Sequence, residues 1–143
     1  MQLIEQSIDI KSPIAKVWSI LIDWESRTEW APRVEKARIV GKDPLRKGTR
    51  IKMQVNGRKF TPKVMAFKPQ QNLILKVGGY VVNVKHSYTL TSDNDDTILT
   101  ISIRYGGIFG SIVGSKSLTS SNRELDEELS DLKKEIESST LSV

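Results

Sequence analysis

The 143-residue chain is long enough for one domain with its own core, and 38% hydrophobic with 27% charged residues is typical of a globular protein. It contains no cysteine, which excludes disulfides, thiolate nucleophiles and cysteine–zinc sites. The net charge of +5 is uneven: residues 1–91 carry 17 Lys and Arg against 7 Asp and Glu, and residues 92–143 carry 5 against 10. No secretory signal and no apolar run near the ~20 residues of a membrane helix is visible, so we expect a cytoplasmic protein.

The first predicted element is a strand over residues 2–10, whose isoleucines share one face. Ser12 then occupies the expected N-cap of a short helix, with Pro13 at the first helical position. Apolar residues follow at helical spacing, and a second short segment begins at Asp23 and ends before Pro32. This region contains all three tryptophans of the chain, Trp18, Trp24 and Trp30.

From residue 34 the hydrophobic period changes to two, which predicts strands. Asn56-Gly57 is a strong hairpin signal. Pro62 lies inside one predicted strand and suggests an edge position or a bulge there. Hairpin connections imply an antiparallel sheet. The predicted strands cover residues 34–40, 49–55, 59–67, 73–77, 81–90 and 98–105.

A long helix is predicted over residues 115–137, and it would be about 35 Å long at ~1.5 Å per residue. The glycine-rich segment before it predicts a bend and a candidate gate. One sheet face is apolar and needs a cover, and this helix is the only element long enough. The sequence therefore predicts a single α+β domain over residues 1–143, with about seven antiparallel strands curved around the C-terminal helix. The apolar stripe of that helix is Leu118, Leu125, Leu129, Leu132 and Ile136.

Several stretches together resemble the START-like helix-grip superfamily (SRPBCC), in its polyketide cyclase/dehydrase branch. They are SPIAKVWSILIDW at 12–24, WAPRV at 30–34, Gly48-Thr49, TILT at 97–100 and the final Leu-rich helix. The resemblance covers nearly the whole chain. It implies a cavity between sheet and helix for an apolar or amphipathic small molecule, such as a lipid, a quinone or a polyketide. It also implies that Trp18 packs under the sheet and that Trp30 lies near the cavity mouth. The superfamily has no universal catalytic motif, so the resemblance implies no catalytic residue.

Candidate ligand contacts come mainly from the apolar face of the predicted strands. His86, the only histidine, and Tyr88 share that face of the 81–90 strand and would point at the covering helix. His86 is either a polar anchor for a ligand or a hydrogen-bonded interior histidine. An acid–base role would need an orienting carboxylate, and none is evidently placed for it. The predicted ligand contacts are Trp30, Met53, His86, Tyr88, Tyr105, Phe109 and Asn122.

Tyr105 is expected to meet Ser121 and Asn122 from the long helix. That meeting is either ordinary buried hydrogen bonding or a polar patch in the cavity. Met53 is expected to line the cavity or the core. One histidine and no cysteine leave only carboxylates as metal ligands, so we expect neither a metal nor a cofactor.

Three functions stay open. The preferred one is a binding protein for a hydrophobic small molecule, and the second is a cyclase or dehydratase that uses the same cavity. The third is an interaction module that acts through a basic sheet face, towards nucleic acid or an anionic membrane. No aromatic residues interleave with the basic ones, which argues against nucleic acid. The chain is expected to be a monomer or a dimer.

Overall fold

The computed structural model describes residues 2–141, with the side chains of residues 3–114, 116 and 120–138. These residues form eight strands and three helices. Their bounds are β1 Gln2–Ile10, α1 Ile14–Leu21, α2 Arg27–Trp30, β2 Val34–Ile39, β3 Ile51–Val55, β4 Arg58–Phe60, β5 Lys63–Lys68, β6 Asn72–Gly78, β7 Asn83–Asp93, β8 Asp96–Gly106 and α3 Gly110–Leu141. The side chain of Leu118, predicted in the apolar stripe of the long helix, lies outside the described residues.

The strands form two antiparallel sheets. The larger has the order β1-β8-β7-β6-β5 and the smaller the order β2-β3-β4. A single bridge between Arg50 and Lys63 links them. Helix α3 packs against β1 and β8, and α1 packs against α3. This confirms the predicted α+β helix-grip architecture, with eight strands in place of about seven.

Pro62 explains the extra strand. Proline has no backbone N–H, so it cannot donate a ladder hydrogen bond. The predicted strand over 59–67 is therefore divided: β4 pairs with β3, and β5 pairs with β6. The carbonyl of Pro62 still accepts a hydrogen bond from the N–H of Ile51 at 3.0 Å. The chain thus changes from the smaller sheet to the larger one at this proline.

The start of α1 corrects one prediction. The helix begins at Ile14, and Pro13 occupies the N-cap with an extended ψ of 152°. The prediction that Ser12 caps the helix is therefore wrong. The Ser12 N–H donates to the Ile10 carbonyl at 2.8 Å, and its own carbonyl accepts from the Thr97 hydroxyl at 2.8 Å. Ser12 consequently belongs to the tight turn that ends β1, one residue before the cap.

Helix α3 holds the sheet mainly through its C-terminal half. It has 32 residues and is about 48 Å long at ~1.5 Å per residue. It begins at Gly110, five residues before the predicted start, and the bend itself lies at Gly107, whose φ is +90°. The residues that it buries against the sheet are Leu125, Leu129, Leu132 and Ile136.

Candidate ligand-binding site

Glu128 on α3 is the centre of a polar cluster where α3, α2 and strand β7 of the larger sheet meet. Its Oε2 atom accepts a hydrogen bond from the Tyr88 hydroxyl at 2.7 Å. The same oxygen accepts one from Nη1 of Arg27 at 3.0 Å, which makes an ion pair. Glu128 is 23% exposed and Arg27 is 3% exposed. Burying the guanidinium of Arg27 is costly unless its charge is paired and its hydrogen bonds are well made, and Glu128 supplies that partner at the partly exposed side of the cluster.

Aromatic rings enclose the guanidinium of Arg27. Its Cζ atom lies 3.8 Å from the centroid of the Trp24 ring, 5.7 Å from that of Trp30 and 5.9 Å from that of Tyr88. A cation within about 6 Å of a ring face is attracted by the ring quadrupole. Nη2 of Arg27 also donates to the Leu21 carbonyl at 3.1 Å, which ties α2 to the end of α1. Two of the three tryptophans therefore form the surroundings of one buried charge.

Two donors in this cluster have no acceptor among the described residues. They are the indole Nε1 of Trp24 and the Nε of Arg27. Trp24 is 2% exposed, so water in the bulk solvent does not reach it. A buried donor without an acceptor costs free energy, and most such groups in proteins are paired with protein, with ordered water or with a ligand. These two N–H groups therefore need either a bound water or a ligand atom to be satisfied.

The charge states follow from burial and from the neighbours. Burial works to raise the pKa of Glu128, but Arg27, His86 and the Tyr88 hydroxyl together hold it below its ordinary value. Burial and the negative charge of Glu128 raise the pKa of Tyr88 well above its ordinary value. Burial lowers the pKa of His86, and Glu128 opposes that shift. At neutral pH the cluster therefore holds an ionised carboxylate, a neutral imidazole, a protonated phenol and a charged guanidinium.

Two predicted contacts, Trp30 and Tyr88, lie in this cluster. His86 lies two residues before Tyr88 on the same face of β7, where the charges of Glu128 and Arg27 influence its pKa. Tyr105 is 7% exposed, and its hydroxyl lies 2.5 Å from the Ser121 hydroxyl on α3. Asn122 is exposed and accepts a hydrogen bond from Gln6 of β1 at 3.2 Å. The expected contact between Tyr105 and Ser121 is therefore present. Asn122, which was expected to contact Tyr105 as well, is hydrogen-bonded to β1 instead.

Phe109 and Met53 lie away from the cluster. Phe109 is 51% exposed, in the loop between β8 and α3. Met53 is buried and lines a groove of about 720 Å³ beside α2 on the smaller sheet. The groove has apolar walls from Ala37, Met53 and Phe60, and its remaining lining residues are Thr28, Glu35, Lys36, Arg38, Lys52, Gln54, Lys59 and Thr61. The seven predicted contacts are therefore distributed over several places.

Sequence reasoning missed Arg27 and Glu128. A signal for Glu128 was present, because it lies three residues after Leu125 and four before Leu132, on the apolar face of α3. A carboxylate on that stripe indicates a buried partner. Arg27 has no comparable signal, since its segment is too short for a periodic pattern. No group of three His, Cys, Asp or Glu that could hold a metal ion occurs in the part of the chain that is described.

A curved antiparallel sheet around a long C-terminal helix defines the START-like helix-grip class. Within that class, the chain belongs to the family described as polyketide cyclase / dehydrase and lipid transport, whose model matches residues 1–137. None of the curated proteins compared with the chain matches it.

Solved structures show the same fold at low sequence identity. A START superfamily protein from Mycobacterium smegmatis has a TM-score of 0.74 at 13% identity, with 95% of this chain and 97% of that chain covered. A point mutant of norcoclaurine synthase from Thalictrum flavum, in complex with a transition-state analogue, has a TM-score of 0.73 at 13% identity, with 94% and 93% covered. The di-domain ARO/CYC StfQ from the steffimycin biosynthetic pathway has a TM-score of 0.74 at 10% identity, with 96% of this chain and 51% of that chain covered.

Proposed function

We propose that this protein binds a hydrophobic or amphipathic small molecule between the larger sheet and α3, with an acceptor group of the ligand at the Arg27–Glu128–Tyr88 cluster. The observation that carries the proposal is the pair of buried N–H donors, Trp24 Nε1 and Arg27 Nε, that lack an acceptor among the described residues. Ligand sites are mostly apolar with a few placed polar groups, which is the composition of this region. The family description, which includes lipid transport, supports the same class of ligand.

A conservative pair of variants tests the proposal. Trp24→Phe removes one unpartnered donor and keeps an aromatic ring, and Trp18→Phe makes the same change at another buried site, where the ring packs on Phe67. One lost neutral hydrogen bond corresponds to about 0.5–1.5 kcal/mol, or a roughly 2- to 13-fold rise in Kd. We expect this rise in Kd for Trp24→Phe and an unchanged Kd for Trp18→Phe, with whichever probe binds the unmodified protein.

The measurement is calorimetric titration with three probes: oleate, its methyl ester and a hydroxyanthraquinone. Mass spectrometry of solvent extracts from the purified protein, against a mock purification, runs beside it. Saturable binding that Trp24→Phe weakens selectively supports the proposal. No copurified mass and no saturable binding of any probe would refute it, and so would equal effects of the two variants.

An enzyme that uses the same cluster is the second candidate. The observation that favours it is Glu128, held ionised beside neutral His86 and hydrogen-bonded to Tyr88, because a carboxylate and an imidazole in reach of one substrate can move protons. The di-domain ARO/CYC StfQ and norcoclaurine synthase both have this fold. A reactive polyketone substrate would then be consumed by the unmodified protein. Glu128→Gln would bind it without turnover, whereas Glu127→Gln, one residue along α3, would keep the activity.

A further inference from the structure

Five exposed apolar side chains lie at one end of the molecule, on the β6–β7 loop, the β8–α3 loop and the first turn of α3. The N–H of Ile108 donates to the Tyr80 carbonyl at 3.0 Å, and the N–H of Phe109 donates to the Val81 carbonyl at 2.9 Å. These bonds join the two loops into one fixed surface, called here the apolar tip. Its members and their exposed fractions are Tyr80 92%, Val81 57%, Ile108 76%, Phe109 51% and Ile112 54%.

A row of basic residues crosses the larger sheet next to the apolar tip. Residues that pair directly across antiparallel strands have side chains on the same face. Lys63 pairs with Lys76, Lys76 with Lys85, and Lys85 with Arg104. Arg50 extends the row through its bridge to Lys63. At about 4.8 Å between strands, these five cations, called here the basic row, span about 19 Å.

The basic row is on the face of the sheet away from α3. Lys76, Lys85 and Arg104 alternate along their strands with inward residues such as Leu75 and Tyr105. Strands β6, β7 and β8 meet the loops of the apolar tip at Gly78, Asn83 and Gly106. Each of the three basic residues lies two positions from that end of its own strand, which is roughly 7 Å.

The like charges in this row repel one another, and directly opposed like charges destabilise a sheet. None of the five makes an ion pair with a carboxylate of the described residues. In the sequence of α3, the first acidic residue is Glu124, so the helix start beside the apolar tip carries no carboxylate that would repel an anionic partner. The arrangement is therefore costly for the isolated protein and suited to a negatively charged partner.

We propose that this end of the molecule docks on an anionic lipid bilayer, with the apolar tip in the headgroup and acyl boundary and the basic row against the headgroups. Apolar side chains beside a cationic surface are the combination that binds a membrane interface. Nucleic acid would satisfy the basic row and could stack on Tyr80 and Phe109, but it would leave the aliphatic Val81, Ile108 and Ile112 exposed to water. The inference concerns a different surface from the ligand site, so either one can fail alone.

Co-sedimentation with vesicles tests the proposal, using phosphatidylcholine with and without phosphatidylglycerol. We expect binding to the mixed vesicles that weakens with added salt, and far weaker binding to phosphatidylcholine alone. The double variant Lys76→Gln/Lys85→Gln should weaken binding by about 10- to 30-fold, given about 1 kcal/mol per basic residue near such a surface. Lys42→Gln/Lys134→Gln has the same net charge, changes exposed lysines of the 41–48 loop and of the C-terminal half of α3, and should bind as the unmodified protein does.

The apolar tip has its own pair of variants. Ile108→Ser should weaken binding, whereas Val40→Ser, at an exposed apolar residue 42% accessible elsewhere, should not. Circular dichroism verifies that each variant is folded. The proposal is overturned if neither vesicle is bound, or if the control variants lose as much binding as the test variants. It is equally overturned if sedimentation shows that Ile108→Ser only dissociates a dimer, or if a short DNA duplex binds while vesicles do not.

Discussion

Glu128 controls the charge state of the polar cluster at the scale of single residues. It accepts hydrogen bonds from Tyr88 and Arg27, and its negative charge raises the pKa of His86 against the lowering effect of burial. Because His86 is the only histidine, its ring proton resonances report this coupling without overlap. One carboxylate on α3 thus links the ionisation of two side chains of β7, Tyr88 and His86.

We expect His86 to titrate below its ordinary pKa, and we expect Glu128→Gln to lower the pKa of His86 further. Glu127→Gln, one residue along the helix, should leave it nearly unchanged. NMR titration of the His86 ring protons measures this pKa in the unmodified protein and in both variants. A His86 that titrates above its ordinary pKa, or is equally affected by both variants, would contradict this electrostatic account.

The same shift predicts how stability depends on pH. With the folded pKa of His86 lowered, the unfolded chain binds the proton first as the pH falls. The contribution of His86 to stability is therefore complete above its unfolded pKa of about 6.5 and declines as the pH falls from there towards the folded pKa. Glu128 has a lowered folded pKa too, so its contribution is present above about pH 4.3 and is lost on further acidification.

At the scale of elements, the β8–α3 loop depends on Gly107. This residue has a φ of +90°, and a Cβ atom there would lie 2.7 Å from the Val81 carbonyl oxygen and 2.8 Å from that of Tyr80. The glycine is therefore required by both the backbone conformation and the close approach of the β6–β7 loop. The predicted gate in this segment stays a prediction. What the geometry establishes is that the two loops touch through their backbones.

We expect Gly107→Ala to lower the free energy of unfolding by about 2–3 kcal/mol, because it adds left-handed strain and a steric conflict with carbonyl oxygens. Gly79→Ala is the matched control, since its added Cβ meets nothing within 4 Å and its φ is not in the left-handed region. Urea unfolding of both variants measures the difference. Equal stability of the two would show that the loops separate at little cost.

For the whole molecule, α3 is the element that closes the structure. Its buried leucines lie in the C-terminal half, whereas its first turn carries the exposed Ile112. Since neither of the other two helices in the described part of the chain exceeds eight residues, loss of packing along this half should affect the stability of the entire domain. The N-terminal part of the helix instead borders the apolar tip.

Leu132→Ala should therefore lower the free energy of unfolding by about 2–5 kcal/mol, since Leu132 is fully buried and its truncation leaves a cavity. Ile112→Ala should change it by no more than about 0.5 kcal/mol, because this side chain is 54% exposed. Thermal and urea unfolding of both variants give the comparison. A single transition that shifts only for Leu132→Ala would confirm that this half of the helix stabilises the domain as one unit.

The local patterns of the sequence determined the elements. Alternation in the strands and helical spacing in α3 depend on which face of each element is buried, and both signals are contained in a few adjacent residues. The Asn56-Gly57 hairpin followed in the same way, and both residues have positive φ. At Pro62 the sequence predicted an edge position or a bulge, but not two separate strands. Which strand each half pairs with depends on residues that are distant in the sequence.

Only the tertiary structure decided the candidate site. Arg27 and Glu128 are 101 positions apart in the chain, and their meeting depends on how α2 and α3 are placed against β7. Tyr88 was predicted from its strand face, but its carboxylate partner was not, since no local pattern records which distant side chain arrives opposite. The same holds for the basic row, whose members come from separate strands and the bridge at Arg50, aligned only by register. Secondary structure can be predicted from the periodicity of a few neighbouring residues. A site cannot, because it forms from contacts between elements that are far apart in sequence.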